Sequence, residues 1–211
     1  MGSEPHRHPR APEPAGWQAQ KSAATRHRIV EATIRCFVDL GYAGTTTTAI
    51  AARAGLSRGA MLHHFPSKAE VVRAAVEHLH GRRLKAFRKS LQRVVPADGD
   101  RVRQALEAYW AHVRHPMFVA FLELAVAART DRELAAILVP AQQAFESEWR
   151  HTAREVFPEW LGNEERFELA LDLSRYVLEG LAAELGTGRA PARERRLLGH
   201  LERTLRELVG G

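Results

Sequence analysis

Apolar side chains in this chain recur every three or four residues in one segment after another, which is the spacing of a helix face. Ile29, Ala32 and Phe37 follow this spacing in the first such segment, and Gly41 ends it. No segment shows the alternation of apolar and polar residues that a half-buried strand requires, and Gly and Pro fall between the periodic segments. The pattern therefore predicts an all-α protein of about nine helices.

Local start and stop signals divide the chain into these helices. The first helix is predicted over Ser22–Leu40, and Ser57 is a suitable N-cap for the third. The fourth and seventh helices begin at capping boxes, Ser67-Lys68-Ala69-Glu70 and Thr130-Asp131-Arg132-Glu133. The eighth helix is predicted over residues 164–185, and a ninth follows it.

Charge is distributed unevenly along the chain. Residues 1–90 contain 15 Lys and Arg against 6 Asp and Glu, whereas the remaining residues contain 16 against 19. A basic half joined to a slightly acidic half suggests that one end of the protein meets a polyanion. We divide the chain into a proline-rich flexible tail over 1–20, a helix-turn-helix domain over 21–82 and a second helical domain over 83–211.

Several classes of protein do not fit the composition and motifs. The single cysteine, Cys36, allows no internal disulfide and no cysteine-based metal site. No apolar run is long enough to cross a bilayer and no signal peptide is evident, so we expect a cytoplasmic protein with no membrane partner. No catalytic motif occurs, and the adjacent His63 and His64 would point about 100° apart on a helix. We therefore expect no enzymatic activity, no cofactor and no bound metal.

Residues 45–65 carry the strongest functional signal. They are predicted to form two short helices joined by a tight turn at Gly55, with a small core that includes Ile50, Met61 and Phe65. A helix-turn-helix of this kind places its second helix in the major groove of DNA. The alternative is an ordinary helical hairpin, in which the Thr and His residues only cap helices or lie on the surface.

The second helix of this unit has a distinctive outward face. Because Met61 and Phe65 face inward, Gly59, Ala60 and His63 face away from the core, and Arg58 projects from the first turn. An arginine can bind guanine through two hydrogen bonds, and a small alanine can meet a thymine methyl group. Phosphate contacts are predicted for the hydroxyls and free N–H groups of the threonine cluster at residues 45–48, for His64 and for Lys68.

The residues of this region resemble the N-terminal domain of the tetracycline-repressor (TetR) family. The matching residues are, in order, Gly41-Tyr42-x-x-Thr45-Thr46, Ile50-Ala51, Ala54-Gly55-Leu56-Ser57-Arg58-Gly59 and His64-Phe65-Pro66-Ser67-Lys68. The similarity covers residues 25–72 without a gap. It implies a three-helix DNA-binding domain, and a fourth helix that links this domain to an all-helical domain for ligand binding and dimerisation.

The resemblance also implies roles for individual residues. The base-reading positions of the family are matched by Arg58, Gly59, Ala60 and His63. The positions that contact the DNA backbone are matched by Thr46, Thr47, His64 and Lys68. Leu62 stands where the family usually has a Tyr that touches a phosphate, and Ala60 stands where many members have Thr, so operator sequences of relatives do not transfer.

Helix eight is apolar on two sides and therefore needs two partners. One face contains Leu169, Leu173, Tyr176, Gly180 and Ala183. The other face and helix nine are predicted to form the homodimer interface, through Phe167, Leu171, Leu178, Leu181, Leu185, Leu198, Leu201 and Leu205. A two-fold dimer implies a roughly palindromic double-stranded operator. The alternative is that helix eight is buried wholly inside one subunit.

Bulky residues in helices five to eight are predicted to wall a ligand pocket as a group, although ordinary core packing is the more common explanation for any one of them. They are Tyr109, Trp110, Met117, Phe118, Phe121, Phe145, Trp149 and Tyr176. The resemblance implies a small apolar or amphipathic effector, which would favour misaligned recognition helices and so release the DNA through helix four. We therefore expect a DNA-binding repressor; the alternative is a ligand-independent DNA-organising protein on the same fold.

Overall fold

The computed structural model describes residues 15–92, 100–158, 162–184 and 191–210. These residues form nine helices and no strand, as the periodicity predicted. The helices are α1 (Ala15–Gly44), α2 (Thr47–Arg53), α3 (Arg58–His64), α4 (Lys68–Leu91), α5 (Arg101–Val113), α6 (Pro116–Ala127), α7 (Arg132–Val156), α8 (Glu164–Ala183) and α9 (Pro191–Gly210). None of these helices combines the length and the apolarity that crossing a bilayer demands.

The first helix is longer than predicted. It begins at Ala15 instead of Ser22, so residues 15–20 are helical, and the rest of the expected tail lies outside the described residues. The added turns are rich in residues with good helix propensity. The Lys21 ammonium also lies 4.9 Å from the ring centroid of Trp17, one turn earlier, which supports the extension.

Two glycines with positive φ shape the N-terminal domain. Gly41, with φ of 67°, interrupts the regular geometry of α1 where the sequence predicted an end. Gly55, with φ of 66°, forms the turn between α2 and α3. L side chains rarely adopt this conformation, so glycine is the residue that lets α2 and α3 fold back against α1.

Helices α1, α2 and α3 surround one apolar core. Ile29 and Phe37 of α1, Ile50 of α2, Met61 of α3 and the following Phe65 are at most 1% exposed. Met61 and Phe65 lie one turn apart and face the same way, as predicted. Their burial orients α3 and leaves its opposite side to solvent.

Helix α4 runs from the N-terminal domain into the second domain without a break. Buried side chains occur along its whole length, from Val71 to Leu91, and it packs against α1, α5 and α7. The predicted domain boundary after residue 82 therefore falls inside a continuous helix. One continuous helix thus connects the two predicted domains.

Helix α7 begins one residue later than the predicted capping box. The Asp131 carboxylate accepts a hydrogen bond from the backbone N of Leu134 at 2.9 Å and caps the helix. The Thr130 hydroxyl instead donates to the carbonyl of Ala127 at the end of α6, at 3.4 Å. The helix then continues through Pro140 to Val156.

The two faces of α8 differ in their burial inside the subunit. The stripe predicted to form the homodimer interface packs with α9 against α5 and contributes to the subunit's own core, and contact of its partly exposed members with a second copy stays a prediction. Its members are buried or partly buried, namely Phe167, Leu171, Leu178, Leu181, Leu198, Leu201 and Leu205. Leu185 lies outside the described residues. The opposite face is open, with Leu169 47% and Tyr176 65% exposed.

Replacing Phe37 with alanine is expected to lower the free energy of unfolding by about 3–5 kcal/mol, because the change removes a fully buried ring and leaves a cavity. Urea denaturation measures the loss. Leu40 lies on the same helix and is 47% exposed, so Leu40→Ala is a matched control that should change the value by under about 0.5 kcal/mol. Similar losses in the two variants would contradict the packing described here.

Candidate nucleic-acid interface

Helix α3 presents exposed residues on the side opposite its buried contacts. Arg58, Gly59, Ala60 and His63 are all exposed. The Ser57 hydroxyl accepts a hydrogen bond from the backbone N of Ala60 at 3.1 Å and caps the helix, as predicted. The four residues predicted to read bases are therefore accessible together, and their contact with DNA stays a prediction.

Arg58 is held toward α2 in the free protein. Its Nε donates a hydrogen bond to Thr47 Oγ1 at 3.3 Å. The neighbouring Thr46 is exposed, and its hydroxyl caps α2 by accepting from the backbone N of Ala49 at 3.1 Å. One polar surface thus connects the predicted base-reading arginine to the two threonines predicted to contact phosphates.

Arg26 fixes the far end of α3. One guanidinium nitrogen, Nη1, donates to the backbone carbonyl of His64, and the guanidinium lies 4.0 Å from the ring centroid of Phe65. His64 is half-buried, and its ring centroid lies 5.7 Å from that of His63. The sequence pattern did not indicate a role for Arg26, because its partners His64 and Phe65 are distant in sequence and local spacing does not predict such contacts.

Lys68 already has partners inside the protein. Its Nζ donates to the backbone carbonyl of Tyr42 at 3.3 Å and lies 4.2 Å from the centroid of the Tyr42 ring. Burial lowers the pKa of Lys68, and the charge of Asp131 opposes that change. The position of a cation at the start of α4 therefore has an explanation without DNA, and a phosphate contact for Lys68 stays a prediction.

Tyr42 joins the N-terminal domain to the second domain. Its hydroxyl donates to Asp131 Oδ2 at 3.1 Å, and Asp131 is the residue that caps α7. Burial and the charge of Asp131 raise the pKa of Tyr42 to about 12, so the hydroxyl keeps its proton. The hydrogen bond from the backbone of Leu134, with smaller effects from Tyr42 and Lys68, lowers the pKa of Asp131. We call Tyr42, Lys68 and Asp131 the Tyr42 joint.

Among the described residues of the second domain, two of the cavities are lined by some of the predicted pocket residues. Tyr109 and Trp149 line an apolar cavity of about 60 Å³. Met117 and Phe118 line a second cavity of about 180 Å³, together with His112, His115, Ser90 and Arg83 of α4. Cavities that accept drug-sized ligands usually measure about 300–1,000 Å³, so both are small.

The remaining predicted pocket residues lie elsewhere. Phe121 and Phe145 surround the guanidinium of Arg83, a residue for which the sequence predicted no role. Trp110 is buried and donates its Nε1–H to Glu194 at 2.8 Å. Tyr176 is 65% exposed and lines neither cavity, because α8 turns its other face to α5.

One group of described side chains is placed to hold a metal ion. The potential ligand atoms of His27, Glu31 and His78 lie within 4.8 Å of one another, an arrangement that the prediction of no metal overlooked. Arg82 already pairs with Glu31 at 2.8 Å. Although burial raises the pKa of Glu31, its contacts with His78 and Arg82 lower it overall. The ion pair competes with a metal for this carboxylate, so the group carries no functional assignment.

Comparisons with known proteins agree with this architecture. The profile of bacterial regulatory proteins of the tetR family matches residues 29–75. The uncharacterized HTH-type transcriptional regulator Rv2912c of Mycobacterium tuberculosis is 29% identical over 174 residues, which cover 80% of this chain and 86% of that protein. The HTH-type transcriptional regulator CymR of Pseudomonas putida is 32% identical over 117 residues, covering 56% and 57% of the two chains.

A solved structure shows the same fold. A Rhodococcus sp. protein assigned to the TetR family superposes with a TM-score of 0.68 at 19% identity, covering 89% of this chain and 99% of its own. Fold, helix-turn-helix and relatives together define a transcriptional regulator. Residues 29–75 match the tetR family, as the resemblance of the sequence implied. The relatives named above are described as HTH-type transcriptional regulators.

Replacing Tyr42 with phenylalanine removes the hydroxyl of the Tyr42 joint and keeps the ring beside Lys68. We expect a small decrease in the free energy of unfolding at neutral pH, because the charged acceptor Asp131 loses a donor. The pKa of Asp131 is depressed in the folded state, so its stabilisation is present above its ordinary pKa and disappears as pH falls through the folded value. The difference in the free energy of unfolding between the natural protein and Tyr42→Phe should therefore decrease as the pH is lowered.

Urea denaturation from neutral to acid pH measures this difference. Tyr176→Phe is the control, because it also removes a tyrosine hydroxyl but none of the hydrogen bonds that Asp131 accepts, so it should cause no change in the carboxyl titration range. A Tyr42→Phe difference that stays constant through the carboxyl titration range would argue against the Tyr42–Asp131 hydrogen bond.

Proposed function

We propose that this regulator binds double-stranded operator DNA as a homodimer and represses transcription until a small molecule releases it. The observation that carries the proposal is the exposed row of Arg58, Gly59, Ala60 and His63 on a helix whose other side is buried. Such a helix fits the major groove, where each base pair presents a distinct set of donors and acceptors. The protein would act in the cytoplasm, where the bacterial chromosome is accessible.

The side chains on this row suit different parts of the DNA. Arg58 has the fork geometry for guanine, Ala60 can contact a thymine methyl group, and Gly59 lets the backbone approach the bases. Thr46, Thr47, His64 and Lys68 would contact phosphates and set the position of α3 in the groove. The excess of Lys and Arg in residues 1–90 supports this role, because phosphate neutralisation dominates affinity for DNA.

The open face of α8 is the surface we propose for dimerisation. Leu169 and Tyr176 are 47% and 65% exposed there, and Gly180 on the same helix is also exposed. Large apolar side chains in a row favour contact with a second copy, and a glycine allows two helices to approach closely. A two-fold dimer would place two α3 helices on successive half-sites of a roughly palindromic operator.

Release by a ligand is supported by the route from the cavities to α3. Both cavities are lined in part by α4, which begins at Lys68 in the Tyr42 joint. A small apolar or amphipathic effector that favours one position of α4 would shift the population toward dimers with misaligned α3 helices. The loss of DNA affinity is limited by the factor by which the effector prefers that conformation.

Ligand-independent DNA organisation is the second candidate function. The closely packed rings of the second domain favour it: the centroids of Phe87, Tyr109 and Trp149 lie 5.7–6.1 Å apart, beside a cavity of only about 60 Å³. This function would leave DNA affinity unchanged by any small molecule, whereas a regulated repressor requires an effector that lowers it.

Arg58→Ala should reduce sequence preference. With duplexes enriched from a random pool by the natural protein, the preference for enriched over scrambled DNA should fall by about 1–3 kcal/mol, the value of one two-bond contact to a base. Competition titrations at fixed salt measure it. Lys89→Ala is the matched control, because Lys89 is exposed on α4 about 30 Å from Lys68 and carries the same charge as Arg58. An unchanged preference in Arg58→Ala would refute the base-reading role.

Lys68→Met should weaken binding to all duplexes alike. If the ammonium contacts a phosphate, the slope of log affinity against log salt concentration should fall by about 1. Lys89→Met should leave the slope unchanged. A Lys68→Met protein with a normal slope and lower stability would show that Lys68 serves the Tyr42 joint and no phosphate.

A further inference from the structure

Arg83 is a buried cation in the interior of the second domain. Its side chain is only 1% exposed and is the bulkiest of the fully buried side chains that the structure describes. It projects from α4, the helix that leads back to α3. A guanidinium taken out of water loses several kcal/mol of solvation unless charges and hydrogen bonds replace the lost water.

Aromatic rings supply part of that replacement. The guanidinium carbon lies 4.0 Å from the ring centroid of Phe121, 4.4 Å from that of Phe145 and 5.6 Å from that of Phe118. The faces of these rings attract a cation. Phenylalanine rings have no lone pair that accepts a hydrogen bond, so the N–H groups of Arg83 need other acceptors.

Most of that hydrogen-bonding capacity is unused. Nη1 lies 3.4 Å from Nδ1 of His80, whereas Nε and Nη2 are buried and have no partner. These two nitrogens carry parallel N–H bonds on one edge of the guanidinium, the edge that binds both oxygens of a carboxylate. His112, on the facing helix α5, also has a buried Nε2 without a partner.

No described carboxylate forms an ion pair with Arg83. The acidic group whose charge reaches it is Glu179, and this carboxylate accepts from the Tyr109 hydroxyl at 3.0 Å and lies 3.5 Å from Arg175 Nε. Burial and the charge of Arg83 lower the pKa values of His80 and His112 to about 3, so both rings are neutral. Burial lowers the pKa of Arg83 itself only to about 10, which leaves it charged at neutral pH.

The cavity of about 180 Å³ lies beside this group. Arg83, Ser90, His112, Met117 and Phe118 are among its lining residues. An apolar cavity of about 150 Å³ holds a benzene molecule, so the space suits a small organic molecule. Because Nε and Nη2 have almost no accessible surface, a ligand reaches them only if the lining supplied by α4, α5 and α6 moves.

We propose that this cavity binds a small organic acid, whose carboxylate pairs with Nε and Nη2 of Arg83 and whose compact apolar body occupies the space beside Phe118 and Met117. The acid supplies the negative charge and the acceptors that the free protein lacks. The role of the acid as effector rests on the proposed function, whereas its binding does not require DNA.

Calorimetry and thermal unfolding with benzoate, phenylacetate and hexanoate test the site, with the corresponding amides as uncharged controls. The acids should bind saturably and raise Tm, and the amides should not. Arg83→Met should abolish the effect of the acids and leave Tm of the free protein equal or higher, because an uncompensated buried charge is removed. Arg83→Lys keeps the charge without the fork, and should weaken binding by about tenfold or more.

Arg82→Met is the matched control, because Arg82 precedes Arg83 on α4, is 44% exposed and pairs with Glu31. It should bind the acids normally. Three results would each overturn the proposal: no saturable binding by any of the three acids, equal binding of acids and amides, or full binding by Arg83→Met. Acid binding that leaves DNA affinity unchanged would support the site and overturn the role of the acid as effector.

Discussion

The burial of Met61 and Phe65 against α1 sets the orientation of the helix-turn-helix. These two side chains, at most 1% exposed, fix the rotation of α3 about its own axis. The rotation decides which residues face outward, and Gly55 and Arg26 fix the two ends of the same helix. A different rotation would bury Ala60 or His63 and remove the surface proposed to read DNA. The functional surface is therefore a consequence of core packing.

The connection between the two domains rests on one helix and one polar cluster. Helix α4 carries Lys68 at its start and the uncompensated Arg83 farther along, and the Tyr42 joint binds the N-terminal domain to the cap of α7. A ligand that pairs with Arg83 would act on the same rigid element that positions α3. If the surroundings of Arg83 differ between two positions of α4, such a ligand binds one of them more tightly, which is what a population shift requires.

The sequence predicted the features that depend on local pattern. Helical periodicity placed Met61 and Phe65 inside and Arg58 outside, and Ser57 and Ser67 cap α3 and α4 where their spacing indicated. The faces of α8 could not be assigned in this way, because both are apolar and only the position of α5 decides which is buried. Local pattern could not identify the pocket residues either. Tyr176 and Trp149 are both large aromatic residues on predicted helices, yet Tyr176 is exposed and Trp149 is buried.

The helical periodicity of α4 already indicated that Arg83 is buried. Val76, Leu79 and Phe87 define a buried stripe on α4, and position 83 falls on the same stripe. A cation at a core position indicates a special role. The contacts that surround it come from α6 and α7, distant in sequence, so the cage of phenylalanine rings was not predictable.

The most direct test of the DNA-reading claim is affinity cleavage from α3. Cys36 is the single cysteine and is fully buried, so a thiol-directed iron chelate would attach to the introduced cysteine of Ala60→Cys. With an enriched duplex, the account predicts strand cuts clustered within each half of the bound site, and no such clusters from Lys89→Cys. Cuts that are evenly spread, or equally strong from both positions, would contradict the placement of α3 in the major groove.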